Sequence, residues 1–247
     1  MTRLTVRHQA GEYDIIIGTG ILASRSLAGA VGARPALIVT DDNVAPLWLN
    51  PLRAALPHAE TLILPPGEAA KTLDTVSRIW SVLAKKQMRR DVVLVALGGG
   101  VIGDMTGFAA ACWMRGVDFI QVPTTLLAQV DSAIGGKTGI DLPAGKNLVG
   151  AFHQPLAVFA DPDTLRTLPE REYFAGMAEI IKAALIADAD FFSWLEANAL
   201  ALRTRTSGML VHAIRQSCEI KAAIVADDEH ERGRRAVLNL GHTFAHA

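Results

Sequence analysis

The sequence predicts an α/β fold, a Rossmann-like doubly wound N-terminal part followed by an all-α segment. Three observations predict it. Short β-branched apolar runs recur through the first 160 residues, helical patterns separate most of them, and from 172 to 227 only helical periodicity remains, rich in Ala and Leu. Half of the 247 residues are hydrophobic, enough for a substantial core.

The strand runs are LTV at 4–6, DIII at 14–17, ALIVT at 36–40, TLIL at 61–64, DVVLVAL at 91–97 and DFIQV at 118–122. The plainest helix among them is KTLDTVSRIWSVLAKKQ at 71–87, and the alternation is what a parallel sheet requires. Pro162 and Pro169 mark the change of texture, so the boundary falls near 162–170 and divides the chain into residues 1–165 and 166–247. The last residues, LNLGHTFAHA at 238–247, open what reads as a new helix and stop within its first turns. Such an ending predicts a fragment of a longer chain.

Lys plus Arg number 24 against 25 Asp plus Glu, so no global field favours nucleic acid or an anionic membrane. Any anion bound here must be held by local groups. The start, MTRLTVRHQA, lacks the apolar core of a signal peptide, and charge interrupts every long apolar stretch, as Glu179 and Lys182 interrupt FAGMAEIIKAALIA. Cys112 and Cys218 lie in helical stretches without CxxC spacing, which predicts free thiols and a cytoplasmic protein.

Residues 98–103 read GGGVIG, satisfying G-x-G-x-x-G with Gly98, Gly100 and Gly103 between an apolar strand and a helix expected to begin near Asp104. Backbone without Cβ approaches a pyrophosphate closely, and a helix N-terminus supplies unpaired N–H donors. A tight turn needing positive φ is the simpler reading of the same glycines. The motif follows about the fifth strand rather than the first, and no clear acid lies about 20 residues beyond it, so the dinucleotide template fits only in part. Asp41 and Asn43, at the end of ALIVT, have two readings of equal weight. They face a ribose from the sheet edge, or Asp42 or Asn43 caps the helix VAPLWLNPLRAAL.

Glu179 precedes Lys182 by three residues on an otherwise apolar helix, so both share a face. A carboxylate there takes a metal as partner, or it pairs with Lys182. His242 and His246 are four apart in the closing segment, and spacing alone groups them with Glu179 as three ligands leaving one open position on zinc.

The stretch 98–155, GGGVIGDMTGFAAACWMRGVDFIQVPTTLLAQVDSAIGGKTGIDLPAGKNLVGAFHQP, closely resembles the 3-dehydroquinate synthases. YDIIIGTGIL, PPGEAAKT, MAEIIK, IKAAIVADDE and LNLGHTFAHA accompany it in the family's order, so the resemblance covers nearly the whole chain. It implies conversion of 3-deoxy-arabino-heptulosonate 7-phosphate to 3-dehydroquinate and phosphate, in the shikimate pathway of aromatic amino acid biosynthesis. A hydride is removed and returned within each turnover, phosphate is eliminated, and an aldol closure follows. NAD and a divalent metal, zinc with cobalt as the alternative, are the implied cofactors, and a homodimer is the implied assembly.

For the cofactor, the resemblance implies Asp41, Asn43, Glu68, Lys71, Gly99, Gly100, Val101, Asp104, Thr124, Thr125, Lys137, Lys146 and Thr167. For the substrate it implies Asp131, Lys137, Asn147, Lys182, Lys221, Arg235 and Asn239, with Arg115 reaching into the neighbouring subunit's site. It assigns Glu179 and His242 to the metal and His246 to the substrate phosphate, against the grouping by spacing, and puts the third metal ligand beyond Ala247. Three other readings stay open: a metal-dependent polyol dehydrogenase of the glycerol dehydrogenase type, a sugar-phosphate cyclase whose substrate lacks a carboxylate, and an inactive NAD-binding fragment. Lys137, Lys146, Lys221 and Arg235 speak against a neutral polyol, which needs no such anion-binding set.

Overall fold

The computed structural model describes residues 1–229 and 233–241. In chain order the strands are β1 (Thr2–His8), β2 (Gly11–Ile17), β3 (Ala36–Asp41), β4 (Glu60–Leu64), β5 (Val93–Gly98), β6 (Asp118–Pro123), β7 (Lys137–Leu142), β8 (Gly145–Phe152) and β9 (Ala157–Ala160). The helices are α1 (Arg25–Val31), α2 (Ala45–Ala55), α3 (Leu73–Lys85), α4 (Gly100–Cys112), α5 (Glu170–Ala187), α6 (Ala189–Ala197), α7 (Ala199–Arg203) and α8 (Ser207–Asp227).

Seven strands form one sheet in the order β1-β2-β9-β6-β5-β3-β4, and β7 pairs with β8 as a separate antiparallel hairpin. Every residue of β3 and β5 is buried, which is why both read as continuous apolar runs. Side chains alternate between the two faces. Leu37, Val39, Leu94 and Ala96 join one core with Val76 and Ile79 of α3 and Met105 of α4, while Ile38, Val93 and Val95 join another with Leu27 of α1 and Leu52 of α2. Each fully buried Leu or Ile contributes about 1.5–3 kcal/mol. The 3.6-residue period of α3 keeps Val76, Ile79 and Leu83 on the sheet side, and the Thr72 hydroxyl accepts from Thr75 N–H at 3.3 Å to start the helix.

The α/β architecture and the helical stretch after residue 170 are as expected. The helices pack directly on the sheet: Tyr13, Ile15 and Ile17 of β2 share a core with Ile180 of α5, Phe191 of α6 and Ile214 of α8. Three expectations need correction. The sheet is not wholly parallel, because β1 runs antiparallel to β2 through a tight turn at residues 9–10. The hairpin β7–β8 and strand β9 occupy 137–160, where no strand was expected. Helix α4 begins at Gly100 rather than near Asp104. No described helix is long and apolar enough to cross a membrane.

Candidate active site

The sheet order explains the position of the glycine motif. After β3 the chain moves outward to β4, and its next strand, β5, returns to the other side of β3, so the topological switch lies between β3 and β5. Ligands of such sheets bind outside the carboxyl ends of the strands at that point. The register pairs Val39 with Ala96 and Gly98 with Pro123, so Asp41, Gly98 and Thr124 end three neighbouring strands at one edge. Thr124 N–H closes the edge by donating to Gly98 O at 2.9 Å.

Gly99 caps α4, and the first helical bond runs from Gly103 N–H to Gly99 O at 3.1 Å. The N–H groups of Gly100, Val101 and Ile102 therefore have no acceptor within the helix. A Cβ at Gly100 would stand 2.9 Å from Ser132 Oγ. Gly100 is thus closely packed against Ser132, and it leaves bare backbone at the helix end. The carboxylate of Asp41 accepts from Asn43 N–H at 2.9 Å and Val44 N–H at 3.0 Å. Asp41 thus closes the turn before α2, whose start carries no side-chain cap from Asp42 or Asn43, and burial raises the Asp41 carboxyl above the ordinary range.

Beside this edge, Lys71 Nζ donates to Asp104 Oδ2 at 2.6 Å and to Asn147 Oδ1 at 2.5 Å. Burial pushes Asp104 up to about 6 even with Lys71 pulling it down. Thr125 accepts from Ala128 N–H, and Lys146 faces Glu68 at 3.3 Å with both side chains exposed. The Thr167 hydroxyl accepts from Trp48 Nε1 at 3.0 Å.

A cavity of roughly 640 Å³ opens next to Asp104, and it gathers Asp131, Lys137, Asn147, Lys182, Lys221, Arg235 and Asn239. Seven residues expected to meet substrate, drawn from four parts of the sequence, therefore line one space. Asp131 sits on the π-helical turn Ala128–Ser132, where Lys221 Nζ contacts its Oδ1 and donates to its backbone oxygen at 2.6 Å. Burial pushes Asp131 up, but Lys221, Lys182 and Arg235 outweigh it and hold the carboxyl below its usual range. Lys137 is lowered to about 8, first by burial and then by the charges of Arg235 and Lys221. The cavity thus carries excess positive charge at neutral pH, as a polyanionic ligand demands.

Arg115 is exposed in the turn Trp113–Arg115 and does not line this cavity. Glu179 pairs with Lys182, with 19% and 12% of the two side chains exposed. Among the described residues no group of three His, Cys, Asp or Glu side chains gathers to hold a metal ion. His242 and His246 lie outside the described residues. The donors that are described, one carboxylate already paired, do not by themselves make a metal site. Sequence reasoning missed the wall formed by Thr138, Leu148, Gly150, Ala151 and Phe152 of the hairpin, and also Ser132. The signal available was turn chemistry, Pro143 and Gly145 between two short runs.

A sequence model described as 3-dehydroquinate synthase N-terminal matches residues 61–175, and one described as 3-dehydroquinate synthase C-terminal matches 176–247. A 2-deoxy-scyllo-inosose synthase solved with carbaglucose-6-phosphate, NAD+ and Co2+ is 28% identical, with a TM-score of 0.90 over 99% of this chain and 68% of that one. The 2-epi-5-epi-valiolone synthase of Streptomyces hygroscopicus subsp. jinggangensis 5008, solved with NAD+ and Zn2+, is 30% identical, with a TM-score of 0.86 over 99% of this chain and 69% of that one. A glycerol dehydrogenase from Schizosaccharomyces pombe is 18% identical, with a TM-score of 0.60 over 83% of this chain and 57% of that one, a likeness of fold alone. The two sequence models matching in tandem and a relative at 30% identity place the chain in the 3-dehydroquinate synthase family, whose solved neighbours here are sugar phosphate cyclases.

Proposed function

We propose that this chain performs the 3-dehydroquinate synthase reaction on 3-deoxy-arabino-heptulosonate 7-phosphate. The observation that carries the reading is the cavity's charge: Lys137, Lys182, Lys221 and Arg235 face it against Asp104 and Asp131. A substrate bearing both a carboxylate and a phosphate calls for that density of cations, whereas a neutral polyol does not. The edge at Asp41, Gly99, Gly100 and Thr124 fits NAD, since bare backbone at a helix start suits a pyrophosphate and a carboxylate suits ribose hydroxyls. NAD+ in both solved cyclases supports this. Bound there, NAD supplies reversible hydride acceptance.

The remaining work falls to side chains of this chain. Lys137, Lys221 and Arg235 neutralise the anionic ends of the sugar and fix its orientation, and Asn147 and Asn239 address its hydroxyls. The phosphate leaves with the neighbouring proton, so Asp131, held ionised by Lys221, serves to orient that lysine rather than to remove the proton. Glu179 and His242 as metal ligands rest on the resemblance and on the cobalt and zinc of the two relatives, and no step is assigned to a metal. Residues 1–165 then carry most of the cofactor groups together with Asp131, Lys137 and Asn147, and 166–247 carry Lys182, Lys221, Arg235, Asn239 and the metal groups, so both segments line the cavity. Pairing of two copies, with Arg115 crossing to the partner's cavity, is supported by its exposed position away from its own. Unpaired Cys112 and Cys218 suit the cytoplasm.

The test is incubation with substrate and NAD, followed by assay of free phosphate and NADH. Phosphate released without net NADH supports the reading, while stoichiometric NADH without phosphate points to a dehydrogenase. The relative solved with carbaglucose-6-phosphate supports a second reading, a cyclase acting on a sugar phosphate without a carboxylate. Faster phosphate release from a hexose 6-phosphate than from the heptulosonate would select it.

A further inference from the structure

Glu229 is not among the residues lining the cavity, yet it ties three distant parts of the chain to it. Its carboxylate accepts from Gln9 N–H at 2.9 Å, in the β1–β2 turn, and from Gln154 Nε2 at 2.7 Å, just beyond β8. Its own carbonyl oxygen accepts from the Arg235 guanidinium at 2.5 Å. The adjacent Asp228 carboxylate accepts from Gly233 N–H at 2.8 Å and Arg235 N–H at 3.0 Å, which holds the backbone at Arg235.

Two of these three partners, Arg235 and Gln154, also flank the backbone just before Lys137. Gly135 and Gly136, directly before Lys137, have φ of +95° and +68°. A Cβ on Gly135 would collide with the Arg235 guanidinium, and one on Gly136 would lie 2.6 Å from Gln154 Cδ. The backbone leading into Lys137 is therefore clasped between Arg235 and Gln154, and both are held by Glu229. Tyr13 OH closes the clasp by accepting from Gly135 N–H at 3.2 Å.

We propose that Glu229 is a positioning residue for substrate binding, setting Arg235 through its carbonyl and Lys137 through Gln154 so that both cations meet one anionic sugar. The inference rests on the proposed function, which makes Arg235 and Lys137 substrate groups. The carboxylate is suited to the task because it accepts two donors, Gln9 N–H and the Gln154 amide, with 9% of its side chain exposed. A glutamine there offers one oxygen and turns an N–H toward one of those donors.

Glu229→Gln is expected to raise KM for the heptulosonate phosphate about tenfold while kcat changes less than about twofold, with NAD affinity unchanged. Glu229→Asp should recover part of the loss. Titrating NAD-free protein with the same sugar phosphate should show the same weakening without turnover, and in an Arg235→Ala background the further effect of Glu229→Gln should shrink to the part that runs through Gln154 to Lys137. Should Glu229→Gln fail to fold, Gln154→Ala removes the same link from the other side and should raise KM in the same direction. An unchanged KM in a folded variant overturns the inference and leaves the proposed function intact. Wild-type protein that binds the sugar phosphate without releasing phosphate removes the proposed reaction, and the titrations still decide the role of Glu229. Wild-type protein that does not bind it removes both.

Discussion

The edge at the ends of β3, β5 and β6 and the cavity beneath the β7–β8 hairpin are neighbours joined through Lys71 and Asp104, yet they are built differently. The edge consists of backbone and small groups: three glycines in sequence, two threonines, a helix start without acceptors and one carboxylate already bonded to its own loop. The cavity consists of long charged side chains that constrain one another, Lys221 against Asp131 and Lys182 against Glu179. Apart from the Lys71–Asp104 pair, the edge should tolerate loss of a charge and resist added bulk, and the cavity should do the reverse.

The largest test of that contrast is Lys221→Ala, which leaves Asp131 facing the cavity without its nearest partner. Phosphate release should fall by roughly a hundredfold, the range for removing one member of a hydrogen-bonded charge pair. Because 35% of the Asp131 side chain stays exposed, the cost in stability should be smaller than the about 3–5 kcal/mol of a fully buried pair. NAD titration of the variant should match wild type, and an equal loss there would erase the distinction between the two regions.

Gly100→Val makes the converse test. The new Cβ falls 2.9 Å from Ser132 Oγ, so the helix start or the π-helical turn must shift, an overpacking of about 1–3 kcal/mol. NAD should bind roughly tenfold more weakly, while the anionic sugar still binds the NAD-free protein. Wild-type NAD affinity in this variant would reduce the glycine turn to a packing device.

These two regions also differed in how far the sequence revealed them. The glycine turn was legible because strand, turn and helix are local, and its place at the fifth strand looked anomalous only because strand order in the sheet is not written in the local pattern. Asp41 was legible as a polar strand end, but spacing alone did not decide which carboxylate would take the N–H groups of Asn43 and Val44. The cavity lysines were not legible from pattern at all. Lys137 and Lys221 belong to no local pattern and Lys182 only to its pairing with Glu179, so only the family resemblance brought the three together. The hairpin that walls the cavity escaped because β8 is half exposed and rich in small residues, so it lacks the alternation that marks a one-sided strand.

Titration separates the regions further. Lys137 loses its charge near 8, so KM for the sugar phosphate should rise as pH climbs through that value. Its folded pKa lies below the usual 10.5, so the folded state gives up the proton first, and this group adds stability as pH rises between the two values. The loss of affinity is then not unfolding. Asp104, raised from 3.8 to about 6, behaves in the opposite sense. As pH falls through about 6 it protonates, its ion pair with Lys71 lapses, and NAD affinity should weaken while this group favours the fold. Parallel profiles of KM, NAD affinity and melting temperature check both, and a single shared inflection would contradict the division.

The smallest expected effect concerns Lys146, a cation assigned to the edge whose side chain lies out in solvent. Its ammonium stands 3.3 Å from Glu68, with 71% and 43% of the two side chains exposed, so water screens the pair and its worth to stability is about 0–1 kcal/mol. Lys146→Ala should leave the melting temperature unchanged within error and weaken NAD only a few-fold, less so as salt is raised. A loss as large as that at Gly100 would mean that Lys146 swings inward over bound NAD, making the hairpin tip part of the edge rather than of the cavity wall alone.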